Sequence, residues 1–141
     1  MVYGVKAEQA RLIRTDVIVL QFQAFWYSVP SLLKRWMKET FQHGVLHGRT
    51  GDKLKGKMLV PSLTTGAPEA LFRHDGSMDY TIDEFLPCFK ATCRLRQIEF
   101  AGCVYAGGVS YGSRTTPELM ENQKAVSVKH DKRRVALLKT L

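Results

Sequence analysis

Two short loops carry the residues that could do chemistry. Gln23-Ala24-Phe25-Trp26-Tyr27-Ser28-Val29 sets three aromatic side chains in a row, after an apolar run and before a helix start. Thr64-Thr65-Gly66-Ala67-Pro68 follows a second apolar run. An aromatic loop offers a stacking wall for a planar ring, and a tight turn can aim backbone N–H groups at ring heteroatoms. Thr64 and Thr65 add hydroxyls, and Gly66 leaves the backbone open to close approach. A flat heterocycle with many acceptors, such as an isoalloxazine, suits both walls. The protein would then orient and tune a cofactor that carries the hydride chemistry itself. The competing reading makes Phe25, Trp26 and Tyr27 core or interface residues.

Other constellations point to less. His43, His47, His74 and His130 show no metal-ligand spacing, so no metal site is expected. Gly107-Gly108 lies in a loop without a GxGxxG or phosphate-loop pattern. Ser28, Ser62 and Ser110 lack a nucleophile-elbow context. Asp75, Asp79, Asp83 and Glu84 form no catalytic pair, and Glu84 reads as a helix cap. No catalytic side chain is assigned.

The elements that must position the two loops follow from periodicity. Asp16 to Phe22 is a β-branched apolar run, read as a strand buried on both faces of a parallel sheet. Pro30 to Phe41 has apolar residues at helical spacing, with Ser28 as its cap. His43 to Lys55 reads as a long loop, and Lys57 to Leu63 as a strand that Pro61 weakens. Thr81-Ile82-Asp83-Glu84 is a capping box opening a helix to about Leu95. Ile98 to Tyr105 reads as a third strand, and Ala106 to Arg114 as a glycine-rich loop. Thr116-Pro117-Glu118 starts a last helix, with a break expected near His130-Asp131. Strands alternating with helices predict an α/β domain with a parallel sheet. Ligands of such sheets bind beyond the C-terminal strand ends, where both loops lie.

Length and composition bound the rest. A chain of 141 residues predicts one domain, residues 1–141. No apolar run approaches the roughly 18–20 residues of a membrane span, and the N-terminus has no signal-peptide core. These point to a cytoplasmic protein without an integral membrane segment. Cys88, Cys93 and Cys103 match no zinc or redox spacing and are expected as buried, reduced thiols. Net charge is +8, concentrated in Lys124, Lys129, Lys132, Arg133, Arg134 and Lys139. The cluster reads as a solvated helix face or as basic charge near a phosphate-bearing ligand. No aromatics interleave it, so no nucleic-acid partner is expected.

The segment from Phe22 to Trp36 resembles the "FPLYWYSVPALLKGW" motif of the flavodoxin-like NAD(P)H:quinone oxidoreductases. Thr64-Thr65-Gly66-Ala67-Pro68-Glu69 resembles that family's "TTGAPEE" loop, and Thr81 to Pro87 its "tIDEfLrPl" helix start. The resemblance covers residues 5 to about 112. It implies a flavodoxin-like three-layer αβα fold, and a FAD- or FMN-dependent enzyme passing a hydride from NAD(P)H to a quinone-like acceptor. By motif position, Ala24, Phe25, Trp26 and Tyr27 would line the flavin ring, opposite Thr64, Thr65, Gly66 and Ala67. It also implies a homodimer, with the helix carrying Trp36 and the loop at 43–55 at the interface.

The chain departs from the motifs in places. Gln23 stands where the family usually has proline, and Ala24 where it has leucine. Phe72 lies near a position often held by tyrosine, with His74 as a substitute proton donor. Members also begin with a strand, a phosphate-binding loop, a helix and a second strand. Residues 1–9 here match the segment after that unit, so strands 1 and 2 of the 2-1-3-4-5 order are expected to be missing. That would leave the Val17–Leu20 strand as an exposed edge. The alternative function is a catalytically inactive remnant or interaction subunit of the same family.

Overall fold

The computed structural model describes residues 4–44, 46 and 52–141. It is a parallel sheet with helices on both faces. The elements are α1 (Val5–Arg14), β1 (Val17–Gln23), α2 (Ser31–Thr40), β2 (Met58–Thr64), α3 (Pro87–Arg96), β3 (Glu99–Phe100), β4 (Val104–Ala106) and α4 (Pro117–Leu138). β1 pairs with β2 along its whole length, Val17 opposite Met58 and Gln23 opposite Thr64. On its other side β2 pairs first with β3 and then with β4. Among the described residues β1 is an edge strand, as expected.

Alternation along the strands sorts the layers. Ile18, Leu20, Leu59 and Leu63 are buried with Leu12, Met37, Phe41, Phe89 and Cys93, so α1, α2 and α3 cover one face. Residues of the other parity meet α4: Ser62 bonds His130, and Gln21 bonds Arg134. Val17 and Val19 are only half-buried and Gln21 is exposed. β1 is therefore buried on one face, not the expected two, because α4 crosses over β2 and β4. Leu46 and Leu54 are fully buried, a contribution of roughly 1.5–3 kcal/mol for each such side chain. They pin the described ends of the 43–55 segment, whose residues 45 and 47–51 lie outside the described ones.

Several expectations are corrected. Helix α1 was not anticipated. Its Gln9 and Leu12 are buried, and the Gln9 amide donates to Thr40 O at 3.0 Å, docking α1 on α2. Ser28 does not cap α2, since its backbone closes the preceding turn and Pro30 is the N-cap residue. The third strand is two short ones, split at Gly102, whose φ of +121° few other residues adopt. α4 continues through His130-Asp131 without a break, because burying His130 against Ser62 holds the helix to the sheet. Cys88 is exposed, while Cys93 is buried and Cys103 partly so.

Pro61 sits inside β2 after all. The odd-numbered residues of β2 face β3 and β4: Leu59 O accepts from Ala101 N, and beyond the strand Thr65 N donates to Ala106 O. Pro61, without an N–H, faces the interruption between β3 and β4, where no ladder bond is required.

The Thr81 capping box forms, opening a short 3₁₀ turn (Ile82–Phe85) that precedes α3. Thr81 N and Oγ1 both donate to Glu84 Oε2, at 2.8 and 2.9 Å. The backbone bond from Thr81, followed by its side-chain bond, holds the Glu84 carboxyl below its ordinary range. The Thr116 cap of α4 is also present, accepting from Leu119 N.

Candidate functional site

After β1 the chain turns back on itself within two residues. Phe25 N donates to Ser28 O at 3.0 Å, and Ser28 N to Phe25 O at 2.9 Å. The central residues, Trp26 and Tyr27, have φ of +48° and +62°. This is the backbone of a two-residue hairpin turn that ordinarily selects Asn-Gly. Holding two aromatic residues in the left-handed region costs on the order of 1–3 kcal/mol each. Trp26 is also 93% exposed, so burial of its ring returns little of that cost within the described chain.

The Thr65–Ala67 loop is built more quietly. Thr65 N donates to Ala106 O at 2.9 Å, Val109 N to Thr65 O at 2.9 Å, and Gly108 N to Ala67 O at 3.0 Å. The Thr65 hydroxyl donates to Ala67 O at 2.9 Å. Gly107 is packed so closely that a Cβ there would lie 2.3 Å from Glu69 N. At Gly66, by contrast, a Cβ would meet Ser110 Cβ only at 3.9 Å. The protein itself therefore has no steric need for glycine at 66.

Between these loops lies a cavity of about 250 Å³. Ala24, Trp26, Tyr27, Thr65, Gly66 and Ala67, six of the residues expected beside a flavin ring, line it. Phe25 does not; its backbone closes the turn while its side chain is half exposed. Thr64 does not either. Its alternation on β2 turns it toward α4, where it lines a separate cavity with Gln21, His130 and Arg134. It joins the walls only through its backbone, accepting from Ala24 N at 2.8 Å.

The rest of the lining was not anticipated, apart from Phe72. Phe85, on the Ile82–Phe85 turn, lies between Tyr27, Phe72 and Tyr80, with ring centroids 5.5, 6.2 and 6.2 Å away. The Tyr27 hydroxyl lies 3.9 Å from Met78 Sδ. Aromatics at 72, 80 and 85, flanking an otherwise polar segment, were the available signal. His74 is not in the lining; its ring lies 3.5 Å from the Glu84 carboxylate and 3.2 Å from Asp79 O.

The site suits an uncharged flat ring. No Lys, Arg, His, Asp or Glu among the described residues lines this cavity. Among the described residues, no backbone bond uses the N–H groups of Trp26, Tyr27, Gly66 or Ala67. All four residues belong to the cavity walls. The volume falls below the roughly 300–1,000 Å³ of pockets that enclose a whole ligand. No metal-binding cluster occurs among the described residues.

The flavodoxin-like fold family matches residues 2–129. The chain belongs to that family. Flavodoxin-like relatives supply chemical context. An uncharacterized NAD(P)H oxidoreductase, YdeQ of Bacillus subtilis (strain 168), is 42% identical over 91 residues, covering 64% of this chain and 46% of its own. An NADPH-quinone reductase from P. pentosaceus superposes with a TM-score of 0.76 at 26% identity, covering 93% of this chain and 74% of that one. General stress protein 14 from Treponema denticola, solved in complex with FMN, gives a TM-score of 0.73 at 28% identity, covering 92% and 73%. The chain spans about half the length of the curated relatives it matches first, 46% and 57%. No helix among the described residues is long and apolar enough to cross a membrane.

Proposed function

We propose that this chain forms the ring-binding walls of a flavin-dependent NAD(P)H oxidoreductase whose acceptor is a quinone-like molecule. One observation carries the reading. Trp26 and Tyr27 are held in a strained turn, their own N–H groups in no backbone bond among the described residues, across an apolar cavity from Gly66 and Ala67, whose N–H groups are likewise in none. Strain of that kind persists where the surroundings, or a ligand, over-determine it.

A bound flavin would accept a hydride from the nicotinamide donor and pass reducing equivalents to the acceptor. The chain's residues would do the rest. Trp26 and Tyr27 N–H would face the ring heteroatoms from one side, and Gly66 and Ala67 N–H from the other. Phe85, Phe72 and Met78 would exclude water. FMN is the flavin supported by the Treponema denticola relative, with FAD the alternative. Residues 1–141 would act as a single domain, as a homodimer, in the cytoplasm.

The test is titration of purified protein with FMN and with FAD, followed by quinone-dependent oxidation of NADPH. Saturable quenching of flavin fluorescence and turnover of benzoquinone are expected. Absence of quenching with either flavin would sink the reading. Binding without turnover favours the second reading, an interaction subunit lacking activity.

A further inference from the structure

One residue outside the cavity lining connects both of its walls. Val109, in the loop after β4, donates its N–H to Thr65 O at 2.9 Å, holding the base of the second wall. Its carbonyl accepts the Gln23 side-chain amide, Nε2 to O at 3.1 Å. Gln23 ends β1 and immediately precedes Ala24, the first residue of the aromatic wall. A continuous path therefore runs Gln23, Val109, Thr65. It lies on the opposite side of β2's end from the direct bond between Ala24 N and Thr64 O.

We propose that Gln23 is a positioning residue for the ring site, fixing the aromatic turn against the Thr65–Ala67 wall through the Val109 peptide. This rests on the flavin-site reading above.

Three physical points support it. The strained turn at Trp26-Tyr27 is short and sits on an edge strand, so its placement depends on what braces the end of β1. The β1–β2 ladder braces it from one side, and β1's other edge has no strand partner among the described residues. Gln23 adds a tie across to the β4 side of the sheet, 86 positions along the chain. The loop it reaches is itself rigidly seated, since Gly107 packs against the Glu69 backbone and Gly108 N bonds Ala67 O. A tie to a seated loop transmits position, whereas a tie to a loose one would not.

The residue type matters as well. Proline, which stands here in the motif the segment resembles, has no side-chain donor and could not make this tie. Leucine keeps the approximate size of Gln23 and removes the donor. Asparagine keeps the donor on a shorter arm.

The experiment compares wild type, Gln23→Leu and Gln23→Asn by FMN titration, by the absorbance and fluorescence of the bound flavin at saturation, and by thermal melting of the flavin-free protein. Amide exchange at Val109 and Ala24 is followed without flavin. Gln23→Leu is expected to weaken FMN binding about three- to tenfold, the range of one lost hydrogen bond. It should shift the spectrum of the saturated complex and speed exchange at Ala24, with the melting temperature nearly unchanged. Gln23→Asn should fall between the two. An unchanged Kd and spectrum in Gln23→Leu would overturn the proposal. So would a loss of affinity matched by a large drop in melting temperature with an unaltered saturated spectrum, which marks a structural role only. Failure of the wild type itself to bind flavin overturns the underlying reading, and this one with it.

Discussion

The Ser62 hydroxyl and His130 Nε2 meet at 2.9 Å in the interior, joining the central strand β2 to helix α4. Burial is the main force pushing the His130 pKa down, and the nearby Arg133 and Arg134 push the same way. The Tyr105 backbone and Asp131 oppose them in part. Tyr105 exerts that effect although His130 Nδ1 makes no hydrogen bond of good geometry. The fold therefore disfavours the protonated form of this histidine.

A pH dependence follows. Below about 6.5, the ordinary histidine value, the unfolded chain takes up a proton at this position that the folded chain resists. Stability from this group is therefore complete above that pH. It is lost as pH falls from there toward the lowered folded-state value. Urea midpoints measured from pH 8 to pH 5 should fall for wild type and fall less for His130→Gln. Identical slopes would show that another group carries the effect.

The aromatic turn should be a site where stability and binding trade off. Tyr27→Gly relieves one left-handed residue and should stabilise the flavin-free protein by about 1 kcal/mol, raising the melting temperature by a few degrees. The same change removes a ring from the cavity and should weaken FMN binding. Calorimetry and a flavin titration on one preparation test both halves.

Three glycines should answer to alanine differently. Gly107→Ala puts a methyl against backbone atoms and should cost about 1–3 kcal/mol in urea unfolding. Gly108→Ala meets no neighbour within 4 Å, but its φ of +76° makes it strained, at about 1 kcal/mol. Gly66→Ala should leave stability unchanged and impair only flavin binding. Destabilisation by Gly66→Ala would show that the protein, not a ligand, requires that glycine.

Thiol reactivity should separate the cysteines. Cys88 is exposed. Burial pushes Cys93 up to about 11 and Cys103 up to about 12, both far from the thiolate form at neutral pH. A disulfide reagent should therefore titrate one thiol in the native protein and three after denaturation, matching the three cysteines of the chain. Cys88→Ser should abolish the native reaction.

What the sequence disclosed followed physical rules of different reach. Helix α2 was legible because burial of one face imposes a repeat, β1 and β2 because they are short apolar runs, and α4 because Thr116-Pro117 marks its start. The two walls were legible because unusual residue types sat at strand ends. The split at Gly102 was not, since one left-handed residue leaves little trace in a run of apolar side chains. The family resemblance placed Phe25 and Thr64 beside the ring by motif position. The turn geometry and the parity of β2 take both side chains out of the cavity lining and leave their backbones bonded at its edge. Phe85 escaped notice because an aromatic inside a capping segment resembles ordinary core.

Pro61 has a further effect on how the sheet chooses its pairing. Sliding β3 and β4 by two residues would keep every side chain on its proper face, so hydrophobic patterning cannot forbid such a slip. It would, however, bring the proline opposite a strand segment that needs a donor, leaving a buried carbonyl without one at a cost of about 1–3 kcal/mol. The gap between β3 and β4 is the one stretch of those strands where proline is harmless. The residue thus serves as a keyed notch, admitting a single alignment of the neighbouring strands and so fixing how far the loop after β4 extends toward the aromatic turn.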